Sequence, residues 1–150
     1  MTATQHSPAH ILHQAFIDDA VGVDPSTDAD WQAFINALPD DDSFRHNALC
    51  VRDTTGILDG RIQGTGETVE HPGIQIRIRG VDFETARAKA ASIATVVDGW
   101  IRKAVTVGGT NYTIQAFTRT GAILALGNEE QDRHRRSHFT VNGIVTILIV

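Results

Sequence analysis

The chain has 150 residues, of which 41% are hydrophobic and 21% charged, and its formal net charge is −5 at pH 7. This composition is typical of one globular domain and excludes a disordered chain. Apolar runs such as residues 147–150 are far too short for a bilayer. No basic-then-apolar signal opens the chain, and the lone Cys50 favours a reducing compartment.

The charge is divided unevenly along the chain. Residues 1–72 carry 12 acidic and 3 basic side chains, whereas residues 73–150 carry 6 acidic and 10 basic ones. The net negative charge argues against a protein whose main function is to bind nucleic acid, because the affinity for nucleic acid comes mostly from neutralisation of its phosphates. The two halves could attract each other within the fold or between copies; an uneven, solvated surface is the alternative.

The first predicted element is a helix over residues 8–21. Ser7 is a good N-cap, Pro8 suits the first helical position and Gly22 a stop, and one apolar stripe connects them: Ile11, Leu12, Ala15, Phe16 and Ala20. After a polar connector at residues 24–30, residues 31–38 are ambiguous. Their apolar residues have helical spacing, and residues 27–30 resemble a capping box. However, the segment is only eight residues long before Pro39 interrupts it, which is short for a helix and normal for a strand, so we favour a strand.

The middle of the chain is predicted to contain two strands separated by a long glycine-rich excursion. Residues 48–52 form a short strand candidate that the turn formers of residues 53–56 would close. Residues 56–73 contain five glycines and predict a long loop or loose hairpin excursion. Residues 74–79 alternate isoleucine with polar residues and are the clearest strand.

The second half is predicted to contain a long helix followed by three strands. Asp82 is the expected N-cap, and a core-facing stripe follows with helical spacing: Phe83, Ala86, Ala90, Ile93, Val97, Trp100 and Ala104. Gly108 and Gly109 end this region. Strands are expected at residues 110–117, 122–126 and 139–150, and residues 144–150 are expected to form an interior strand because both faces are apolar near the end.

This order of elements predicts a single α+β domain over residues 1–150. We expect a mixed, mostly antiparallel sheet with two helices packed on one face and long projecting loops.

Candidate chemical motifs are weak. The glycines between Gly56 and Gly66 lack the Lys-Ser/Thr pair and the following helix of a phosphate cradle, so a flexible projecting loop is favoured. His6, His10 and His13 have helical spacing, but Pro8 at the first helical position leaves His6 outside, and the remaining surface pair would hold zinc weakly.

The charged loop predicted at residues 128–138 is the strongest candidate for a catalytic or metal site. Its acids and histidines suggest a metal-dependent nuclease or hydrolase that uses Glu129, Glu130, Asp132, His134 and His138. Three arginines crowd the same loop and would repel a cation, so a solvated charged loop is favoured. We expect no enzyme activity, no metal and no cofactor.

Two further features are best explained by packing or by contact with a partner. Cys50 is expected to be a small buried hydrophobe. Arg77 and Arg79 share the polar face of their strand with Gln75, where DNA is conceivable but solvent or a subunit neighbour is favoured.

Several stretches together resemble tail terminator proteins of long-tailed bacteriophages, which are often labelled minor capsid proteins. The most specific is the His71-Pro72-Gly73-Ile74-Gln75-Ile76-Arg77 strand before an alanine-rich helix; the others are residues 31–40, 53–56, 60–61, 126–129 and 136–142. The resemblance covers most of residues 8–148. Gln32 departs from it, because related proteins tend to have proline after the tryptophan.

The resemblance implies a virion protein assembled in the host cytoplasm. Six copies would form a ring that caps the tail tube, ends its growth and joins it to the neck. Its partners would be itself, the major tail tube protein and a head–tail connector or neck protein, with DNA passing through unbound and no membrane involved. The alternatives are another neck protein, such as a head-closure or adaptor protein, and the metal-dependent nuclease.

The expected interface residues come from the two long loops and the polar strand face. They are Gly60, Arg61, Gly64, Gly66, Arg77, Arg79, Glu129, Glu130, Arg133, Arg135 and Arg136.

Overall fold

The computed structural model describes residues 5–41, 43–61, 68–128 and 135–149. These residues form two helices, α1 (Pro8–Asp18) and α2 (Phe83–Asp98). They also form seven strands, which are β1 (Gln32–Ile35), β2 (Ala48–Arg61), β3 (Thr68–Gly80), β4 (Ile101–Val107), β5 (Thr110–Arg119), β6 (Leu124–Asn128) and β7 (Ser137–Ile149).

The strands form one mixed sheet in the order β1-β2-β3-β7-β5-β4, and β6 also pairs with β7. β1 runs parallel to β2, whereas the other pairings are antiparallel. This confirms the predicted α+β fold, and β1 confirms the strand interpretation of the ambiguous segment 31–38. Neither described helix is long and apolar enough to cross a membrane.

β7 lies in the middle of the sheet, but the prediction that residues 144–150 are interior is confirmed only at Ile144, because residues 145–149 pair with β5 alone among the described strands. β3 pairs with residues 137–144 along one side, while β6 and then β5 share the other side. The three pairings tie both halves of the sheet to this last strand.

The hydrophobic core lies between the helices and one face of the sheet. Alternation in β3 directs Ile74, Ile76 and Ile78 into this core, where they are almost wholly buried. Alanines at positions 86 and 90 of α2 are also buried, because a slim helix face lets the helix lie close to the sheet. The other sheet face, which carries the intervening residues, is left for polar side chains.

Both helices begin where predicted but end earlier. Ser7 caps α1, whose last turn closes in a Schellman arrangement: Val21 N–H donates to Phe16 O at 2.9 Å and Ala20 N–H to Ile17 O at 3.1 Å. Ala20 supplies the required left-handed residue, at φ 56°, so the helix ends before Gly22.

The apolar stripe predicted for the second helix extends beyond the end of α2. The helix ends at Asp98, and Gly99 caps it. Trp100 is buried from the connection that follows, with its ring 5.1 Å from that of Phe16, while Ala104 belongs to β4. Phe83, expected in the core, is half exposed, although its ring contacts Phe139.

The boundaries of the hairpins also differ from those predicted. Gly108 and Gly109 form the turn between β4 and β5, both with positive φ, and do not close a helical region. β6 is shifted along the chain relative to the predicted strand 122–126.

The predicted turn at residues 53–56 is wrong, because β2 continues through it to Arg61. Its pairing with β3 has a bulge between Thr54 and Ile57, which absorbs the turn-forming residues without ending the strand. Of the two alternatives predicted for residues 56–73, the described residues therefore form the hairpin excursion, and residues 62–67 lie outside the described part.

Candidate interface: the arginine pocket and the ribbon

The sheet face opposite the helices carries a cluster of arginines. The registers place Cys50 opposite Arg77 and Arg77 opposite Thr140, while Arg79 lies opposite His138. Together with the segment after β1 they enclose a pocket of about 350 Å³, here called the arginine pocket. It is lined by Asn36, Ala37, Leu38, Asp40, Cys50, Arg52, Arg77, Arg79, Arg136 and His138.

Arg79 forms the inner wall of this pocket and is only 2% exposed. Its Nη1 donates to the carbonyl of Pro39 at 2.7 Å, its Nε to that of His46 at 2.9 Å and its Nη2 to that of Arg45 at 3.0 Å. The expectation that Arg79 faces solvent or a subunit neighbour is therefore wrong, because its guanidinium is buried and donates hydrogen bonds to backbone carbonyls of the same chain.

Arg136 is also buried, at 5% exposure. Its Nη2 donates to Asp40 Oδ1 at 2.7 Å, and its Nη1 lies 3.3 Å from His46 Nδ1. This ion pair joins the segment before β7 to the loop after β1. The expected solvated loop at residues 128–138 is thus wrong for Arg136.

Arg52 lies at the mouth of the pocket and Arg77 deeper within it. The Arg52 side chain is exposed and makes no hydrogen bond or ion pair with any residue that the structure describes, whereas Arg77 is half-buried. Cys50 is buried beside them, as predicted. Burial raises the pKa of its thiol despite the opposing charges of nearby arginines, so the thiol stays protonated at neutral pH and is a poor nucleophile.

The second feature is a two-stranded ribbon formed by residues 57–61 of β2 and 68–71 of β3. β7 pairs with β3 only from Gly73 onward and β1 pairs with β2 only as far as Val51, so neither strand of the ribbon pairs with β1 or β7. At its base His71 Nδ1 lies 3.0 Å from Thr146 Oγ1 of β7.

Two glycines allow the close approach of the strands at this base. A Cβ on Gly56 would lie 2.1 Å from the carbonyl oxygen of His71, and one on Gly73 would lie 2.5 Å from Thr54 Oγ1. These two glycines therefore let the bulged strands of the hairpin pair closely.

The predicted interface residues fall into three groups. Arg77, Arg79 and Arg136 meet in the arginine pocket, and Arg135 is exposed beside it with φ 51°. Gly60 and Arg61 belong to the ribbon. The remainder lie outside the described residues: Gly64, Gly66, Glu129, Glu130 and Arg133. The sequence analysis did not predict Arg52 and Asp40 as site residues. Arg52 could have been found, because strand alternation places it on the same sheet face as Cys50.

The histidine pattern has a structural role. His6 precedes α1, as predicted, yet its Nδ1 lies 2.7 Å from the Tyr112 hydroxyl and its ring packs edge-on against His10. His13 contacts the carbonyl of Ala33 at 2.8 Å instead of pairing with His10. Burial, with the neighbouring His6 and His13, lowers the pKa of His10.

The residues of the nuclease hypothesis are not assembled in the described part of the chain. Glu129, Glu130, Asp132 and His134 lie outside it, and His138 lies in the arginine pocket. Among the described residues no group of three or more histidine, cysteine or acidic side chains could hold a metal ion.

Comparison with known proteins identifies the family. No curated protein matches the chain. A family model described as bacteriophage tail terminator protein matches residues 16–140, which include the arginine pocket and the ribbon. The chain therefore belongs to the bacteriophage tail terminator family and is a structural protein of the phage tail.

Proposed function

We propose that this protein forms a ring that caps the phage tail tube, ends its polymerisation and joins the tail to the neck. The observation that carries the proposal is the family match across residues 16–140. Six copies per ring is the number that the sequence resemblance implies. The ring would be part of the virion, assembled in the host cytoplasm.

The physical problem that such a protein solves is one of symmetry. A tail tube grows by stacking rings head to tail, an open heterologous assembly that nothing in its own geometry stops. A terminator must match the last ring on one side and offer no copy of that face on its other side. Two different docking surfaces on one small subunit satisfy this requirement.

The ribbon and the arginine pocket are candidates for these two surfaces. The outer edges of the ribbon are not paired with β1 or β7, so the ribbon can contact a neighbour without disturbing the core. The arginine pocket lies at the other end of β3, beside the segment 135–136 that leads into β7. We propose that the ribbon docks on the tube and that the pocket faces the neck.

Contacts between copies would use the uneven charge of the chain. An acidic N-terminal half can meet a basic C-terminal half of the next copy, a heterologous contact that closes into a ring when its rotation divides a full turn. Exposed charges are screened beyond about 8 Å at physiological ionic strength, so ring formation should weaken as salt rises. DNA would pass through the ring without specific binding, since an acidic protein does not hold phosphates strongly.

The test is a phage that lacks the gene, complemented with wild-type protein or with a variant that has a shortened ribbon. Replacing residues 59–69 with Asn-Gly removes matched positions from both strands and keeps the pairs Ile57–His71 and Leu58–Glu70. In lysates of phage complemented with the short-ribbon variant, electron microscopy should reveal overlong headless tubes and tailless filled heads. The control, Gly121→Ala, changes a position with open space around it and should complement fully.

The outcomes separate the two parts of the proposal. Normal virions from phage that lack the whole gene would refute termination. Normal virions with the short-ribbon protein, provided that it melts cooperatively, would refute only the docking role of the ribbon.

A further inference from the structure

We infer that the arginine pocket binds a carboxylate-bearing segment of a neighbouring protein. This inference rests on the proposed function only for where the neighbour lies, at the joint between tail and neck. Binding itself is a property of the isolated chain.

The charge of the pocket carries the argument. The described residues that line it include four guanidinium groups, from Arg52, Arg77, Arg79 and Arg136, against one carboxylate, that of Asp40. Arg79 and Arg136 are at least nine-tenths buried, so their charges lie where water screens them poorly. A negative group that enters this volume would be attracted more strongly than one at an open surface.

The pocket is also rigidly built. The three backbone carbonyls that bind Arg79 and the Asp40 carboxylate that binds Arg136 hold these guanidinium groups in place. Arg52 differs, because its exposed side chain at the mouth has no hydrogen bond or ion pair with the described residues. It can therefore turn toward an incoming anion without breaking an existing contact, and guanidinium groups bind carboxylates in a bidentate manner.

The shape of the pocket favours a protein segment over DNA. Its volume is about 350 Å³, and its charges converge on one recess instead of following a groove. Buried Arg79 and Arg136 cannot reach the regularly spaced phosphates of a duplex. A single glutamate or aspartate side chain on a short loop can enter.

The experiment measures binding of a fluorescein-labelled hexaglutamate peptide to the full chain by fluorescence polarisation at low salt. Arg52→Ala should weaken binding about tenfold, the loss of one charge-assisted hydrogen bond, and Arg52→Glu should weaken it further. Arg87→Ala removes an exposed arginine from α2, on the other side of the sheet, and should change the dissociation constant less than twofold.

Four results would overturn the inference. The first two are no binding of hexaglutamate and an equal effect of the Arg52 and Arg87 substitutions. The third is displacement of the peptide by a short DNA duplex at equal charge concentration, which would assign the pocket to DNA. The fourth is displacement by inorganic phosphate at equal concentration, which would assign the pocket to small oxyanions instead. Overlong tubes from the gene deletion, together with failed peptide binding, would leave the proposed function standing and refute this inference alone.

Discussion

Arg79 Nη1 donates a hydrogen bond of 2.7 Å to the carbonyl of Pro39, forty residues earlier in the chain. The same side chain binds the carbonyls of Arg45 and His46, so one buried guanidinium holds two separate parts of the connection between β1 and β2 against the sheet. Arg79 is among the largest fully buried side chains of the described residues. Its role is to satisfy backbone carbonyls that would otherwise lack donors inside the fold.

Arg79→Met should lower the free energy of unfolding by about 3 kcal/mol or more, because it leaves three carbonyls without their donor. Urea unfolding followed by circular dichroism measures this loss. Arg52→Ala is the control, since that side chain is exposed, and its effect should stay within about 0.5 kcal/mol. Similar stability of the two variants would contradict the structural role of Arg79.

Gly143→Ala should destabilise the protein by about 1–3 kcal/mol through overpacking. A Cβ at this position in β7 would lie 2.3 Å from Cε1 of Phe117 and 2.8 Å from the carbonyl oxygen of Thr118, so the aromatic ring or the strand must move. Gly121→Ala is the matched control, because nothing lies within 4 Å of the added methyl group. Thermal melting of the two variants should differ clearly, and equal melting temperatures would contradict this packing.

Asp19 should make stability depend on pH. Burial raises the pKa of its carboxyl, but hydrogen bonds from Lys103 and from Trp100 Nε1, together with the Lys103 charge, outweigh this and hold the pKa below its ordinary 3.8. A depressed pKa means that the ionised carboxylate stabilises the folded state above the unfolded-state pKa. This contribution is lost as the pH falls through the folded-state value.

Asp19→Asn should therefore cost about 1–2 kcal/mol at pH 7, and the difference from wild type should shrink as the pH falls below about 4. Urea unfolding at a series of pH values gives both curves. The control is Asp18→Asn, for the neighbouring exposed residue. A difference between Asp19→Asn and wild type that stays constant down to pH 2 would contradict the ionised contact.

The elements that depend on local pattern could be predicted from the sequence. The starts of both helices follow from the caps Ser7 and Asp82, and the strand around Ile76 follows from strict alternation. The ends could not be predicted so well. Ala20 takes the left-handed position expected of Gly22, and turn-forming residues at 53–56 were absorbed by a bulge because pairing with β3 outweighs their preference.

The candidate site could be predicted only in part. Arg77, Arg79 and Arg136 were predicted from their charge. Their proximity in the structure depends on the pairing of β7 with β3, which lie about sixty residues apart in the chain, and no local sequence pattern predicts this pairing. The burial of Arg79 was missed for a related reason. A polar residue on an alternating strand predicts a solvated face, whereas the connection after β1 folds over this face and supplies carbonyls to it.

The final prediction concerns β7. Removing residues 143–150 should leave the protein insoluble or unfolded, because this segment supplies the β7 positions that pair with residues 112–119 of β5 and buries Val145 and Ile147. Without it β5 and β4 lose their connection to the rest of the sheet, and the inner edge of β5 is left open to aggregation. Solubility after expression, followed by thermal melting of any soluble fraction, measures the effect. The control is removal of Val150 alone, which leaves every described β7 pairing in place and should preserve a cooperative transition. A soluble protein that ends at Asn142 and melts cooperatively would show that β7 is dispensable beyond its pairing with β3 and β6, and would contradict its central place in the fold.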